Sequence, residues 1–286
     1  MMITFRQPDS MRAWSEARRA EGKRVGFVPT MGYLHEGHIS LVRIAKEMGC
    51  EAVAASIFVN PTQFGPGEDY ERYPRNEERD LAMLSAAGVG AVFLPGVKEM
   101  YPKGHQTYVE VTGVSEGLCG AIRPGHFRGV ATVVAKLLLI ARPHVAVFGE
   151  KDYQQLAVIR ALARDLDIDV EIAGAPIVRE PDGLAMSSRN KYLQGEDRQA
   201  ALCLYKGLCA ARDLYEAGVR VPEKLVNIAR AKILSEPRAK LEYVEARDPE
   251  TLSQSLPASG RMTILAAARV GPARLIDNIT LEGKAA

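Results

Sequence analysis

Short runs of almost unbroken apolar residues limit what this chain can fold into more than any other feature. Arg24–Pro29 (RVGFVP), Ala52–Val59 (AVAASIFV), Ala91–Leu94 (AVFL), Val145–Gly149 (VAVFG) and Asp169–Ala173 (DVEIA) are rich in β-forming residues. They lack the apolar–polar alternation of a strand with one wet face. A strand that is apolar on both faces must be covered on both, and that is the condition of a parallel sheet flanked by helices. The intervening segments supply those helices. Asp9 or Ser10 caps a helix expected to run through Ala20, with Gly22 beyond its end. His38–Met48 is followed by Gly49 and Asn76–Ala87 by Gly88, the stop signal of a left-handed cap. His126–Ile140 and Asp152–Asp165 complete the set. Strand–helix alternation of this kind predicts an α/β, Rossmann-like, doubly wound parallel sheet domain.

Past Pro176 the pattern changes. Arg179–Tyr192 (REPDGLAMSSRNKY) is polar and rich in turn formers, so it reads as a linker or mobile loop. Helical patterns follow at about 196–217 and 221–234, then short strands at Lys240–Ala246, Met262–Ala268 and Leu275–Ile279. The expected organisation is a first domain over 1–178, a hinge or loop at 179–186, and a smaller α+β C-terminal domain over 187–286.

Composition excludes several classes of function. With 286 residues, 47% of them hydrophobic, the chain can bury a large core. The 37 Lys plus Arg against 35 Asp plus Glu leave a net charge of +2, with no electrostatic footprint for nucleic acid. The longest apolar stretch, Val130–Ala141, is interrupted by Lys136 and falls well short of the ~20 residues that cross a bilayer. Residues 1–10 include Arg6 and Asp9 and have no signal-peptide apolar core. The four cysteines (Cys50, Cys119, Cys203, Cys209) show no C-x-x-C pair and no zinc spacing. The expectation is a cytoplasmic protein with free thiols, no membrane contact and no nucleic-acid partner.

Polar groups cluster where strands end and helices begin. Met31, Gly32, Tyr33, Leu34, His35, Glu36, Gly37 and His38 follow the first strand, where open α/β sheets bind ligands and a helix N-terminus favours phosphate. His35 and His38 are three apart, so this is not the H-E-x-x-H of a zinc protease. No Walker loop and no Gly-rich dinucleotide fingerprint occurs. A pair of loop histidines making only local hydrogen bonds has the same four-residue spacing. Met186-Ser187-Ser188-Arg189 offers hydroxyls and a guanidinium suited to a triphosphate, or alternatively forms a polar loop. Gly149-Glu150-Lys151-Asp152 places a mobile cation at another strand end, with Gln155 one helical turn on. Asn60 and Gln63 follow a third strand with neutral amides, and Arg123, His126 and Arg128 surround a turn ahead of the buried helix.

An H-x-G-H after the first strand together with a Met-Ser-Ser-Arg loop resembles the two signatures of the nucleotidyl-transferring superfamily that contains class I aminoacyl-tRNA synthetases. Here Arg189 stands where that superfamily has a lysine, and no lysine precedes Met186. The longer strings PTMGYLHEGH, SIFVNPTQF, YPR at 73–75, RPGHFRGV, FGEKDYQQL, GLAMSSRN and ARLIDN resemble the pantothenate synthetase (pantoate–β-alanine ligase) family, in order from residue 29 to residue 278. The resemblance implies an ATP-dependent ligase that forms pantoyl adenylate and passes the acyl group to β-alanine. It implies that Met31 to His38, Gly149 to Asp152, Val178 and Met186 to Arg189 bind ATP. It implies that His38, His35, Lys151 and Arg189 are catalytic, and that Gln63, Gln155, Asn60 and Arg123 serve pantoate and β-alanine. Mg²⁺ accompanying ATP, a homodimer and a C-terminal lid are implied as well, with the metal ligands unknown. Residue chemistry alone reaches only an adenylate-forming α/β enzyme. An adenylyl- or cytidylyltransferase acting on another small molecule, or a nucleotide sensor without catalysis, stays open at that level. A tRNA synthetase lacks support in so short a chain without a basic anticodon-binding extension.

Overall fold

A computed structural model describes residues 2–254 and 260–282. By the density of its contacts the chain divides into two compact units, one of residues 2–150 and 158–176, the other of the described residues in 151–157 and 177–282.

The first unit carries β1 (Ile3–Phe5), α1 (Pro8–Ala20), β2 (Val25–Thr30), α2 (Glu36–Glu47), β3 (Ala52–Ile57), α3 (Glu77–Ala86) and β4 (Ala91–Phe93). It continues with α4 (Val97–Met100), α5 (Leu118–Ile122), α6 (His126–Ala141), β5 (Val145–Gly149), most of α7 (Tyr153–Asp165) and β6 (Glu171–Ala175). Among the described residues its sheet has six parallel strands in the order β1-β4-β3-β2-β5-β6. From β2 the chain winds out through β3 and β4, then returns to build β5 and β6 on the other side. The reversal leaves a topological switch point at the carboxyl ends of β2 and β5, where a crevice for ligand forms in such sheets. The five expected strands are present within a few residues. β3 is buried at all but its last position, as continuous apolarity requires.

β1 went unseen in the sequence. It is three residues long, mostly exposed, and owes its existence to pairing with β4 through Ile3–Ala91 and Phe5–Phe93, so it carries no periodic signal of its own. One face of the sheet is packed by Val28, Leu34, Leu41, Val42, Leu84, Val92 and Val147. Helix α6 is buried at all but a few positions, consistent with its reading as a core helix rather than a membrane span. Among the described residues no helix is long and apolar enough to cross a membrane.

The second unit holds α8 (Gly195–Ala200), α9 (Cys203–Glu216), α10 (Pro222–Leu234), β7 (Ala239–Arg247), β8 (Met262–Val270) and β9 (Ala273–Leu281). The three strands form an antiparallel sheet in the order β7-β8-β9. The stretch expected as one helix at 196–217 is broken at Ala201 and Leu202. Ala200 through Leu204 are all buried in one core cluster, and the break between the two helices lies inside that run. A tight turn, with the Leu202 N–H donating to the Gln199 carbonyl at 3.2 Å, redirects the chain so that all of them reach the core.

Candidate active site

The loop from β2 to α2 is held from three directions. The Thr30 hydroxyl donates to the Ser56 carbonyl at 2.7 Å and accepts from the Gly32 N–H at 3.2 Å. Asp80, in the first turn of α3 and 1% exposed, accepts from the backbone N–H groups of Tyr33 at 2.6 Å and Leu34 at 2.8 Å. Tyr33 sits at φ 49, in the left-handed region that costs a residue with a Cβ, so the loop needs such a restraint. Burial pushes the Asp80 carboxyl upward, and the two N–H groups and Arg79 offset this only in part.

His35 and His38 open α2. The His38 Nδ1 accepts the His35 backbone N–H at 3.2 Å, and the two rings lie 4.1 Å apart, centre to centre. That bond puts the proton of a neutral His38 on Nε2, as a hydrogen-bond donor at the positive end of a helix. The sequence expectation began this helix at His38; it begins at Glu36, because His35 takes the cap position and His38 the third helical one. Gly37 and Glu36 lie in the first turn, where Glu36 pairs with Arg43.

Asn60 and Gln63 belong to a 3-10 turn directly after β3, and both are buried. The Asn60 Nδ2 donates to the Gln63 Oε1 at 3.0 Å and to the Gly129 carbonyl at 3.1 Å. Its Oδ1 accepts from the Thr62 N–H and hydroxyl and from the Tyr101 hydroxyl. The Gln63 Nε2 donates to the Met31 sulfur at 3.2 Å, so the amide lies against the β2–α2 loop. Arg123 is brought to the same place, but its fork is taken: Nε and Nη2 each donate to a Glu68 carboxylate oxygen at 2.6 Å.

Most of the remaining candidates lie in the second unit. Lys151 and Asp152 lie in a 3-10 turn with Nζ 4.0 Å from the carboxylate, and Gln155 is half-buried at the start of α7. The Lys151 carbonyl accepts from the Asn278 Nδ2 at 3.1 Å, and the Tyr153 hydroxyl donates to the Pro249 carbonyl at 2.8 Å. Gly149 and Glu150 close β5 in the first unit. The segment read as a linker is folded back on itself. The Met186 N–H donates to the Val178 carbonyl at 2.9 Å, and Arg179 bridges to Ala185. Arg179 then pairs with both oxygens of Asp277, at 2.7 and 2.9 Å. Ser187 caps the 3-10 turn Ser188–Tyr192, accepting from the Arg189 N–H at 3.2 Å.

Sequence reasoning missed Asp80, Glu68 and Tyr101. Asp80 reads locally as an acid in the first turn of a helix, a common dipole partner; nothing local points it at Tyr33. Glu68 lies in an irregular loop and carries no pattern at all. Among the described residues no group of three or more His, Cys, Asp or Glu side chains is arranged to hold a metal ion.

Known proteins share this architecture. The pantoate-beta-alanine ligase family model matches residues 3–280. A pantothenate synthetase from Myxococcus xanthus is 55% identical over 277 residues, covering 96% of this chain and 94% of its own. Another from Heliobacterium modesticaldum is 53% identical over 272 residues, covering 95% and 96%. The crystal structure of a pantothenate synthetase from Thermus thermophilus superposes with a TM-score of 0.90 at 47% identity, covering 97% of this chain and 99% of that one. A Francisella tularensis pantoate-beta-alanine ligase, complexed with beta-gamma ATP and beta-alanine, gives 0.79 at 36% identity, covering 100% and 99%. With the family model spanning nearly the whole chain and relatives above half identity, the chain belongs to the pantoate–β-alanine ligase family.

Proposed function

We propose that this chain joins pantoate to β-alanine at the expense of ATP, through a pantoyl-adenylate intermediate. The carboxylate of pantoate attacks the α-phosphorus of ATP and pyrophosphate leaves. The amine of β-alanine then attacks the acyl carbon, and AMP leaves. Both steps are displacements that need alignment and charge dispersal, so neither requires a nucleophilic side chain.

The observation that carries this reading is the His35–His38 pair at the start of α2, beside the switch point of the sheet. His38, with its proton on Nε2, is a donor to the phosphate charge that develops as pyrophosphate departs, and His35 assists. Met31 to His38, Gly149 to Asp152, Val178 and Met186 to Arg189 bind ATP, with Lys151 and Arg189 as cations for its phosphates. Gln63 contacts both the acid and the amine, and Gln155 the acid. Mg²⁺ arrives with ATP, held chiefly by the phosphates, the usual mode for a cation that keeps much of its hydration shell. Free thiols at Cys50, Cys119 and Cys203, all buried, suit a reducing cytoplasm. The family resemblance supports a homodimer, and a monomer mass in sedimentation equilibrium would overturn that assignment.

Isotope exchange from pyrophosphate into ATP tests the chemistry. Exchange should depend on pantoate and need no β-alanine, and β-alanine should then release AMP. Exchange without pantoate, or a product that keeps the nucleotide, would replace this reading with a nucleotidyltransferase.

A further inference from the structure

The motif Arg123-Pro-Gly-His126 has no role in the chemistry above, yet its polar atoms converge on one backbone carbonyl. The Gln63 carbonyl accepts from the Arg123 Nη2 at 3.2 Å and from the His126 Nδ1 at 2.8 Å. The Arg123 Nη1 lies 3.1 Å from the His126 Nε2. A guanidinium always donates, so Nε2 is the acceptor and the ring proton sits on Nδ1, aimed at Gln63. Glu68 anchors the array by taking two Arg123 donors, and its carboxylate also accepts from the Gly65 N–H at 3.1 Å. Burial works against this carboxylate, but the Arg123 guanidinium and the Gly65 N–H hold it below the usual range. Behind the turn, a Cβ added at Gly129 would meet the Thr62 carbonyl oxygen at 2.3 Å and the Gln63 Cα at 2.7 Å, so α6 presses directly on it.

We infer that Glu68, Arg123 and His126 are positioning residues that fix the backbone of Gln63, and with it the amide offered to the two substrates, and that Arg123 does not itself bind a substrate carboxylate. The inference rests on the proposed role of Gln63. Its physical basis is competition for one fork: Glu68 occupies the bidentate face of Arg123 that a carboxylate ligand needs. A carbonyl with both lone pairs filled by rigid donors cannot rotate its peptide plane, and Asn60 fixes the side chain beyond it.

The two roles for Arg123 predict opposite effects of Glu68→Gln. If Arg123 captured the carboxylate of β-alanine, releasing it from Glu68 would leave the KM for β-alanine unchanged or lower it. As a positioning group it requires the reverse. Steady-state kinetics on Glu68→Gln, His126→Ala, His126→Asn and Gln63→Ala, with pantoate read by pyrophosphate exchange, decide the matter. Glu68→Gln and His126→Ala should each raise the KM for pantoate and for β-alanine about tenfold, the scale of one buried hydrogen bond to a fixed partner, while the KM for ATP stays within about twofold. His126→Asn, whose amide nitrogen replaces Nδ1, should recover most of the loss, a rescue that general loosening would not give. An unchanged or lower KM for β-alanine in Glu68→Gln overturns the inference. So does an equal rise for ATP, or a failure of Asn to improve on Ala. An unchanged Gln63→Ala instead removes the role of Gln63 on which the inference stands, and the comparison of His126→Asn with His126→Ala is made at one position, so a shared loss of stability cannot imitate it.

Discussion

The proposed role of His38 toward phosphate depends on what its other nitrogen does. The His35 N–H fills Nδ1, which leaves Nε2 to carry the proton of the neutral ring at a helix N-terminus. One such donor to developing charge is worth about 2–4 kcal/mol of barrier. His38→Ala should therefore slow single-turnover pantoyl-adenylate formation at least about 100-fold, and Lys151→Ala similarly. Near-normal rates in rapid-quench measurements would remove either residue from its role. Asp80 acts one step further back. Asp80→Asn keeps the shape but offers one acceptor where two N–H groups need one each, so either Tyr33 or Leu34 is left with a buried unpaired donor. The expected loss is about 1–3 kcal/mol in urea unfolding, together with weaker ATP binding by calorimetry. A variant equal to the parent in both would show that the loop holds itself. The histidines could be singled out from the sequence because their spacing is local; Asp80 could not, because its partners are more than forty residues away.

At the level of elements, the strand–helix alternation was legible because its signals are local: apolar runs for buried strands, Gly22, Gly49 and Gly88 beyond the first three helices, Asn76 at the cap of α3. What was not legible depends on neighbours. β1 exists by pairing with β4, and the helix expected at 196–217 breaks at Ala201 and Leu202, inside a buried run that carries no local stop signal. The polar segment 179–192 reads as a linker because its composition is that of turns. Turn residues also build a compact hairpin, and here Arg179 locks one to Asp277. Gly183 is the tightest point of that hairpin. It sits at φ +97, and a Cβ there would lie 2.1 Å from the Tyr205 ring, which Arg179 covers at 4.4 Å. Gly183→Ala thus combines backbone strain with a displaced ring. We expect a loss of at least about 2 kcal/mol and faster proteolysis within 179–192, against little change for alanine at an exposed, ordinary position. A melting temperature within a degree of the parent would contradict the packing.

For the whole molecule, each unit has its own apolar core, and conditions can act on one of them selectively. Cys203, in the core of the second unit, has its thiol pushed up to about 11, chiefly by burial and then by Glu236. The sign follows from linkage. The fold favours the neutral thiol, so the stability it contributes is fully present below the ordinary value of about 8.5 and is lost as pH rises through about 11. Cys203→Ala should flatten the alkaline fall in stability between those limits by roughly 3 kcal/mol. In the native protein, Cys203 should react with iodoacetamide at pH 8 at least ~100-fold more slowly than a free thiol, while the half-exposed Cys209 reacts readily. Equal labelling of both would place Cys203 outside the core.

Taken by itself, the sequence determines the α/β class, the strand ends that bear polar groups, and the family to which the chain belongs. Each of these is carried by residues close together in the chain: apolar runs, caps, and strings such as PTMGYLHEGH. Tertiary structure alone decides which polar groups are available and which are spent. In the fold Glu68, 55 residues before Arg123, takes two of the Arg123 donors, and Asn60 makes five polar contacts within the protein, none of which is visible in the sequence. The reason is physical. A side chain's hydrogen-bonding capacity is fixed by its chemistry and so can be read from the sequence, whereas how much of it remains for a ligand depends on partners that only folding brings within about 3 Å.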